Sequence, residues 1–369
     1  MKILYVTTVG ATMNFFTDFI EALITEGHTV DIATNDSVIR VSDRYRELGC
    51  RVFTLPCSRS LLRKGNLDSI KAIKKLVKAE RYDIVHCHTP IAAACTRLAC
   101  RKLRKTCGVK VFYTAHGFHF YKGAPFKNWL LYYPVEKLCS RFTDVLITIN
   151  REDFAIAQKK LHAKKTEYVA GVGIDIAKFD KAQVDQKLKR QELGIPEDAI
   201  LFTTVGELGV RKNQKVMLEA LAKTHDERIH YALVGMGALT AEYERFAREN
   251  NISHRVHLLG FRRDVAEIYK ASDVCCLPSF QEGLPVSVME AMACGLPVIC
   301  SRIRGNTDLI DASGGILFEP ADIQECYQAV VEVLKMDLKQ LGSANRERAE
   351  NYSIEKITLR MKNLYESCV

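Results

Sequence analysis

Short apolar runs alternate with helical patterns from the first residues onward. The run ILYVTTV (3–9) comes first, and Phe16, Ile20, Leu23 and Ile24 then recur at helical spacing, with Asp18 and Glu21 facing away. Gly27 ends that helix and TVDIAT (29–34) follows. Further strand patterns are RVFTLP (51–56), DIVHCH (83–88), VKVFYTAH (109–116) and DVLITIN (144–150). The alternation restarts near residue 180 with AILFTTVGEL (199–208), HYALVGMG (230–237), VHLLGF (256–261), DVCCLPS (273–279), PVICS (297–301) and GILFE (315–319). β-Branched runs alternating with helices predict parallel sheets covered by helices on both faces. The fold class is α/β, with two doubly wound units in sequence. The predicted domains are 1–175 and 176–352, joined through a hinge in 172–185, with a terminal helix in 353–369. In open α/β sheets ligands bind beyond the carboxyl ends of the strands. Two such units facing each other therefore predict a ligand in the cleft between them.

Five strand ends carry candidate chemistry. The most informative is Phe280-Gln281-Glu282-Gly283-Leu284-Pro285, running on to Glu290 in VSVMEAMACGLP. Pro285 suits a first helical turn and Gly283 permits close approach just before it. The helix start then offers N–H groups and positive dipole to an anion, with Glu282 and Glu290 eight residues apart. An anion site between two carboxylates fits a ligand that carries both phosphate and hydroxyls. The second site is Val205-Gly206-Glu207-Leu208-Gly209-Val210-Arg211-Lys212-Asn213, where adjacent cations at a turn suit a diphosphate. The third, Gly235 in LVGMG, begins like a dinucleotide fingerprint, but no acidic residue ends the following strand. It is taken as a tight turn beside a base or ribose. The fourth is His116 in TAHGFH, at a strand end, where an imidazole can bond a substrate hydroxyl or act near a reacting centre. His86 and His88 close the preceding strand, yet no paired carboxylates accompany them and no D-x-D occurs, so no metal is expected. The fifth is the first turn, 7–12, where Gly10 allows close approach and Thr12 or Asn14 could cap the next helix.

Composition narrows the partners. The 369 residues are 47% hydrophobic and 26% charged, which excludes a disordered, collagen-like or disulfide-framework chain. The net charge of +9 is uneven: residues 1–180 carry 29 Lys and Arg against 17 Asp and Glu, and the remainder 24 against 27. The basic half is expected to meet an anionic partner. Contributors are the lysine-rich helix SIKAIKKLVKAERYD (69–83), the run 101–105 and the aromatic stretch FHFYKGAPFKNWLLYY (118–133), which suit an acidic bilayer surface. The bland alternative is solvated helix faces. The 13 cysteines include no C-x-x-C pair and sit in apolar runs, as reduced, buried side chains. No apolar run approaches the roughly 20 residues of a spanning helix, and the N-terminus lacks a signal-peptide pattern. A cytoplasmic protein is expected, with any membrane contact peripheral on the cytoplasmic face.

These motifs resemble those of the retaining glycosyltransferases of family 4, with their GT-B architecture of two Rossmann-like domains. Within that family the chain looks most similar to bacterial members that build capsular or exopolysaccharide repeat units. Glu282 to Glu290 matches the family's E-x7-E signature, followed by AMACGLPVI. ASDVCCLPSFQEGLP and SRIRGNTDLI match its flanking pattern, and TAHGF and DIVHCHTP match its first domain. The resemblance implies an acceptor-binding first domain, a nucleotide-sugar-binding second domain and a terminal helix returning to the first. It implies Arg211 and Lys212 on the donor diphosphate, Glu290 on the ribose, and Glu282 on the transferred sugar. Gly206, Gly235, Gly283 and Leu284 would line the donor site. His116 would lie near the anomeric centre, and Gly10 and Thr12 on the acceptor side. No cofactor and no metal are implied. The expected partners are a nucleotide-sugar donor, a UDP-hexose or UDP-N-acetylhexosamine, and a lipid-linked acceptor at an anionic membrane, with no nucleic acid. Two departures stand out: Glu207 occupies a place where the family often has Arg, and the first loop has one glycine, Gly10, where many relatives have two. Two alternatives remain open at this stage, a nucleotide-sugar 2-epimerase on the same architecture and transfer to a soluble acceptor.

Overall fold

The computed structural model describes residues 1–368 apart from 38, 59, 61 and 62. The first unit contains β1 (Lys2–Val6), β2 (Thr29–Thr34), β3 (Val52–Thr54), β4 (Ile84–His88), β5 (Lys110–Ala115), β6 (Val145–Thr148) and β7 (Lys165–Tyr168). They form one parallel sheet in the order β3-β2-β1-β4-β5-β6-β7. Successive side chains on a strand point to opposite faces. Leu4, Val6, Val85, Cys87, Val111 and Tyr113 accordingly enter one core, and Ile3, Tyr5, Ile84, Phe112, Val145 and Ile147 another. Helices Lys64–Glu80 and Pro90–Cys100 cover the first face; Thr17–Thr25 and the terminal helix Ile354–Glu366 cover the second. In the terminal helix Ile357, Met361, Leu364 and Tyr365 form the buried stripe at helical spacing.

The second unit repeats the plan with β8 (Ile200–Val205), β9 (Ile229–Val234), β10 (Val256–Gly260), β11 (Val274–Leu277), β12 (Val298–Ser301) and β13 (Gly315–Phe318). Its parallel order is β10-β9-β8-β11-β12-β13. In each sheet the strand order reverses once, between β1 and β4 and between β8 and β11. These switch points are where a doubly wound sheet opens a crevice for ligand.

The chain divides into Met1–Val172, together with the residues from Ile354, and Gly173–Ser353. Sequence placed the divides at 175/176 and 352/353. They fall at 172/173 and 353/354 because Ile174 pairs with Ser353 as a short parallel bridge and its N–H donates to the Tyr352 carbonyl at 2.9 Å. Two local expectations are corrected. Residues Gly10–Phe15 form a 3-10 turn, and the following helix starts at Thr17 behind Phe16, so neither Thr12 nor Asn14 caps it. The aromatic stretch 118–133 is not one surface: Phe118 and Phe120 stack in the core at 4.7 Å, while Phe126, Leu130 and Leu131 are exposed. All 13 cysteines are free, and most are buried. Among the described residues no helix is long and apolar enough to cross a membrane.

Candidate active site

At the switch point of the second sheet, the loops after β8 and β11 are tied together. Asn213 takes the left-handed conformation at φ 54°, and its Nδ2 donates to the carbonyls of Pro278 at 3.0 Å and Pro320 at 2.7 Å. The Phe280 N–H donates to the Arg211 carbonyl at 2.9 Å. The neighbouring turn after β9 closes tightly, because a Cβ on Gly235 would lie 2.0 Å from the Gly206 carbonyl oxygen. No other residue fits there without moving backbone, so Gly235 serves as the tight turn expected of it.

This framework brings Glu282, Arg211 and Lys212 into one cluster. Lys212 Nζ donates to Glu282 Oε1 at 2.7 Å, Arg211 Nη1 lies 3.4 Å from Oε2, and Arg211 also donates to the Gln281 carbonyl at 2.9 Å. Glu282 and Lys212 are largely buried, whereas the Arg211 side chain is 51% exposed. Burying a carboxylate is costly without a partner, so Glu282 and Lys212 hold each other in place. Gly283 and buried Leu284 lead into Pro285, which caps rather than begins the helix Val286–Ala293. Glu290 lies in that helix, half-buried, with no hydrogen bond to its carboxylate among the described residues. Burial pushes its carboxyl up to about 7, opposed by the charge of Lys178. Glu207 is exposed and lines an open pocket with Gly206, Gly235, Met236, Phe261 and Arg262. It stands outside the Glu282 cluster.

In the first unit the switch point lies between β1 and β4. Strand periodicity puts His86 and His88 on one face of β4. The pairing of His88 with Thr114 then brings His116, two residues on, to the same side. His88 Nδ1 is 3.1 Å from His116 Nε2, and His86 bonds Thr114 Oγ1 at 2.8 Å and Tyr365 Oη at 2.5 Å. The Tyr365 hydroxyl also pairs with that of Tyr5 at 2.8 Å. Burial pushes His116 down to about 4 and His86 to about 3, and takes His88 well below the usual imidazole range. All three rings are therefore neutral at pH 7. With Phe15, Phe16, Phe19 and Met361 they line a narrow cavity of ≈ 30 Å³. Among the described residues no group of three or more His, Cys, Asp and Glu side chains is placed to hold a metal ion.

Gly10 is buried against its own unit: a Cβ there would lie 2.3 Å from the Ile39 carbonyl oxygen, and its N–H reaches the Asn35 carbonyl at 3.3 Å. Its need for glycine is therefore explained by backbone packing alone, and Thr12 sits partly exposed on the same turn. Sequence reasoning named Asn213 in its candidate turn without a role for it, and missed Tyr365 and the strained Thr89, a β-branched residue at φ 63° directly after His88. The alternation in HCH and TAH was the available signal for the histidine group.

Residues 185–355 match the family Glycosyl transferases group 1, and residues 2–150 match Glycosyl transferase 4-like. The chain is 36% identical to EpsD of Bacillus subtilis (strain 168), a glycosyltransferase by name, over 85% of this chain and 84% of that protein. It is 33% identical to the Escherichia coli UDP-Gal:alpha-D-GlcNAc-diphosphoundecaprenol alpha-1,3-galactosyltransferase, over 87% and 85% of the two chains. Among solved structures, Anabaena HepE in complex with UDP superposes with a TM-score of 0.79 at 19% identity, covering 100% of both chains.

Proposed function

This chain belongs to the group 1 glycosyl transferases and has the GT-B fold, and from that premise we propose that it moves a hexose or N-acetylhexosamine, with retained configuration, from a UDP-sugar to a hydroxyl of a lipid-linked saccharide. The observation that carries the proposal is the Glu282–Lys212–Arg211 cluster at the second sheet's switch point. The donor diphosphate lies against Arg211 and Lys212 and the start of helix Val286–Ala293, whose N–H groups and dipole favour an anion. Glu290 accepts hydrogen bonds from the ribose hydroxyls, and Glu282 meets the transferred sugar while holding Lys212. In the first unit, His116 meets hydroxyls of that sugar, and the turn carrying Gly10 and Thr12 belongs to the acceptor side.

The bond from the anomeric carbon to the diphosphate breaks as the cations neutralise the departing charge. The acceptor oxygen forms its bond on the same face, and its proton passes to the departing diphosphate. No metal is needed for this charge balance. A UDP donor is favoured because the Escherichia coli relative is named for UDP-Gal and HepE was solved with UDP. The Escherichia coli relative's name also motivates the diphosphate-linked lipid acceptor. The exposed Phe126, Leu130, Leu131 and Leu138, among exposed Lys122, Lys127 and Lys137, form the surface through which the first unit meets an anionic bilayer at the cytoplasmic face.

Thermal unfolding with UDP-, GDP- and ADP-sugars tests the donor assignment. A ligand at 100 times its dissociation constant stabilises the native state by about 2.7 kcal/mol. UDP-sugars are expected to raise the midpoint most, with the rise reduced in Arg211→Ala. Protection by none of them removes the donor site from this cluster.

A further inference from the structure

The three imidazoles of the first unit leave one hydrogen-bonding atom unaccounted for. His86 has partners on both ring nitrogens. His88 is only 1% exposed; its Nδ1 faces His116 Nε2, and its Nε2 is buried with no partner among the described residues. Aromatic rings surround it: Phe16 at 4.3 Å, His86 at 4.2 Å and a stacked Tyr5 at 5.4 Å between centroids. Thr89, whose backbone is strained, immediately follows it; its Oγ1 accepts from the Thr8 N–H at 3.1 Å and shares a hydrogen bond with the Thr8 hydroxyl at 2.6 Å.

A neutral imidazole carries one proton, and the partner of one nitrogen decides where it sits. If His88 held its proton on Nε2, an N–H would be buried against ring faces with nothing to receive it. If the proton sits on Nδ1, only a lone pair goes unused and the N–H is satisfied by His116. Buried orphan donors are rarer in proteins than under-used acceptors, so the second arrangement prevails. His116 Nε2 is then an acceptor, and its own proton must be on Nδ1. His116 is partly exposed, and its Nδ1 has no protein partner among the described residues.

We propose that His88 is a positioning residue: by donating from Nδ1 to His116 Nε2, it locks His116 in the tautomer that presents an N–H to a substrate oxygen. His116 thereby donates to a hydroxyl or ring oxygen of the transferred sugar and cannot act as the base for the acceptor hydroxyl. The proposal rests on the assignment of His116 to that sugar and adds the direction of its hydrogen bond.

Nitrogen-15 spectra of the histidine-labelled full chain at neutral pH test it without reference to activity. The expected result is a protonated Nδ1 and a bare Nε2 on His116. Loss of that pattern is expected in His88→Phe, and its return in His88→Asn, whose amide N–H takes the place of the ring donor. In transfer assays, His88→Phe is expected to lower kcat roughly 100- to 1,000-fold, the range for a lost transition-state donor, with the donor KM nearly unchanged. His88→Asn should recover to within a few-fold of the parent. A proton on Nε2 of His116 in the parent chain overturns the proposal. Equal losses of kcat and thermal midpoint in both variants also overturn it, because His88 would then be structural only. If the tautomer pattern holds but His116→Ala transfers sugar normally, the assignment of His116 to the sugar fails instead.

Discussion

The chemistry of Glu290 depends on its surroundings. Its sequence position offered a carboxylate on a helix; only its burial reveals that the group titrates near neutrality, at about 7. The folded value lies above the 4.5 of a free glutamate side chain, so the folded chain holds this proton more tightly than the unfolded one. Its contribution to stability is present at low pH and is lost as pH rises through about 7. In the proposed donor site ligand binding would run the other way, because ionised Glu290 would be the better acceptor for ribose hydroxyls. Affinity for UDP is expected to weaken as pH falls from about 8 to about 6, by at most a factor of about 10 per unit. Glu290→Gln should bind more weakly by about 1.5–3 kcal/mol, the worth of a hydrogen bond to a charged group, and show a flatter profile. Calorimetric titration across that range checks both, and a parent affinity indifferent to pH would exclude Glu290 from the ribose. Glu282 shows the opposite limit. Its place beside Gly283 was legible, but not that Lys212 and Arg211 would close on it, since a contact between residues 70 apart leaves no local pattern.

At the scale of elements, periodicity worked where one face of a segment is buried and failed where both environments are mixed. Lysines 71, 74, 75 and 78 stand on the exposed side of helix Lys64–Glu80, opposite buried Ile73 and Val77, as their spacing predicts. Strand β7, with the polar sequence KTEY at the sheet edge, carries no apolar run and went unseen. The stretch 118–133 looked uniform because aromatics mark both core and surface; tertiary packing takes Phe118 and Phe120 inward and leaves Phe126 and Leu130 outside. Those exposed side chains lie on helix Phe126–Leu131, which has no buried residue. Full burial of one such side chain is worth about 1.5–3 kcal/mol, so Phe126→Ser with Leu130→Ser should weaken binding to anionic vesicles at least tenfold without changing the thermal midpoint. Vesicle sedimentation at low salt measures this; undiminished binding by the double variant would place the membrane surface elsewhere.

For the whole molecule, the charge asymmetry sharpens once residues are assigned to their units. The first unit carries 31 Lys and Arg against 17 Asp and Glu, and the second 22 against 27. The proposed donor diphosphate would need only the few cations beside Glu282, which would leave the excess in the first unit for a separate anion. A pyrophosphate-linked lipid in an acidic bilayer has that chemistry. The parallel sheets and their switch points were legible from strand–helix alternation, because strands buried on both faces read as plain apolar runs. The histidine group was legible only in part: H-x-H at the end of β4 was visible, whereas Tyr365, which closes it, comes from 279 residues further along the chain. The most direct test of sugar transfer is the release of UDP from a UDP-hexose or UDP-N-acetylhexosamine, with and without an undecaprenyl-diphosphate-linked saccharide, read together with the configuration of the product. The expected result is UDP release that depends on the acceptor and yields a product with the donor's anomeric configuration. Full donor turnover without acceptor, or an inverted product, would contradict it.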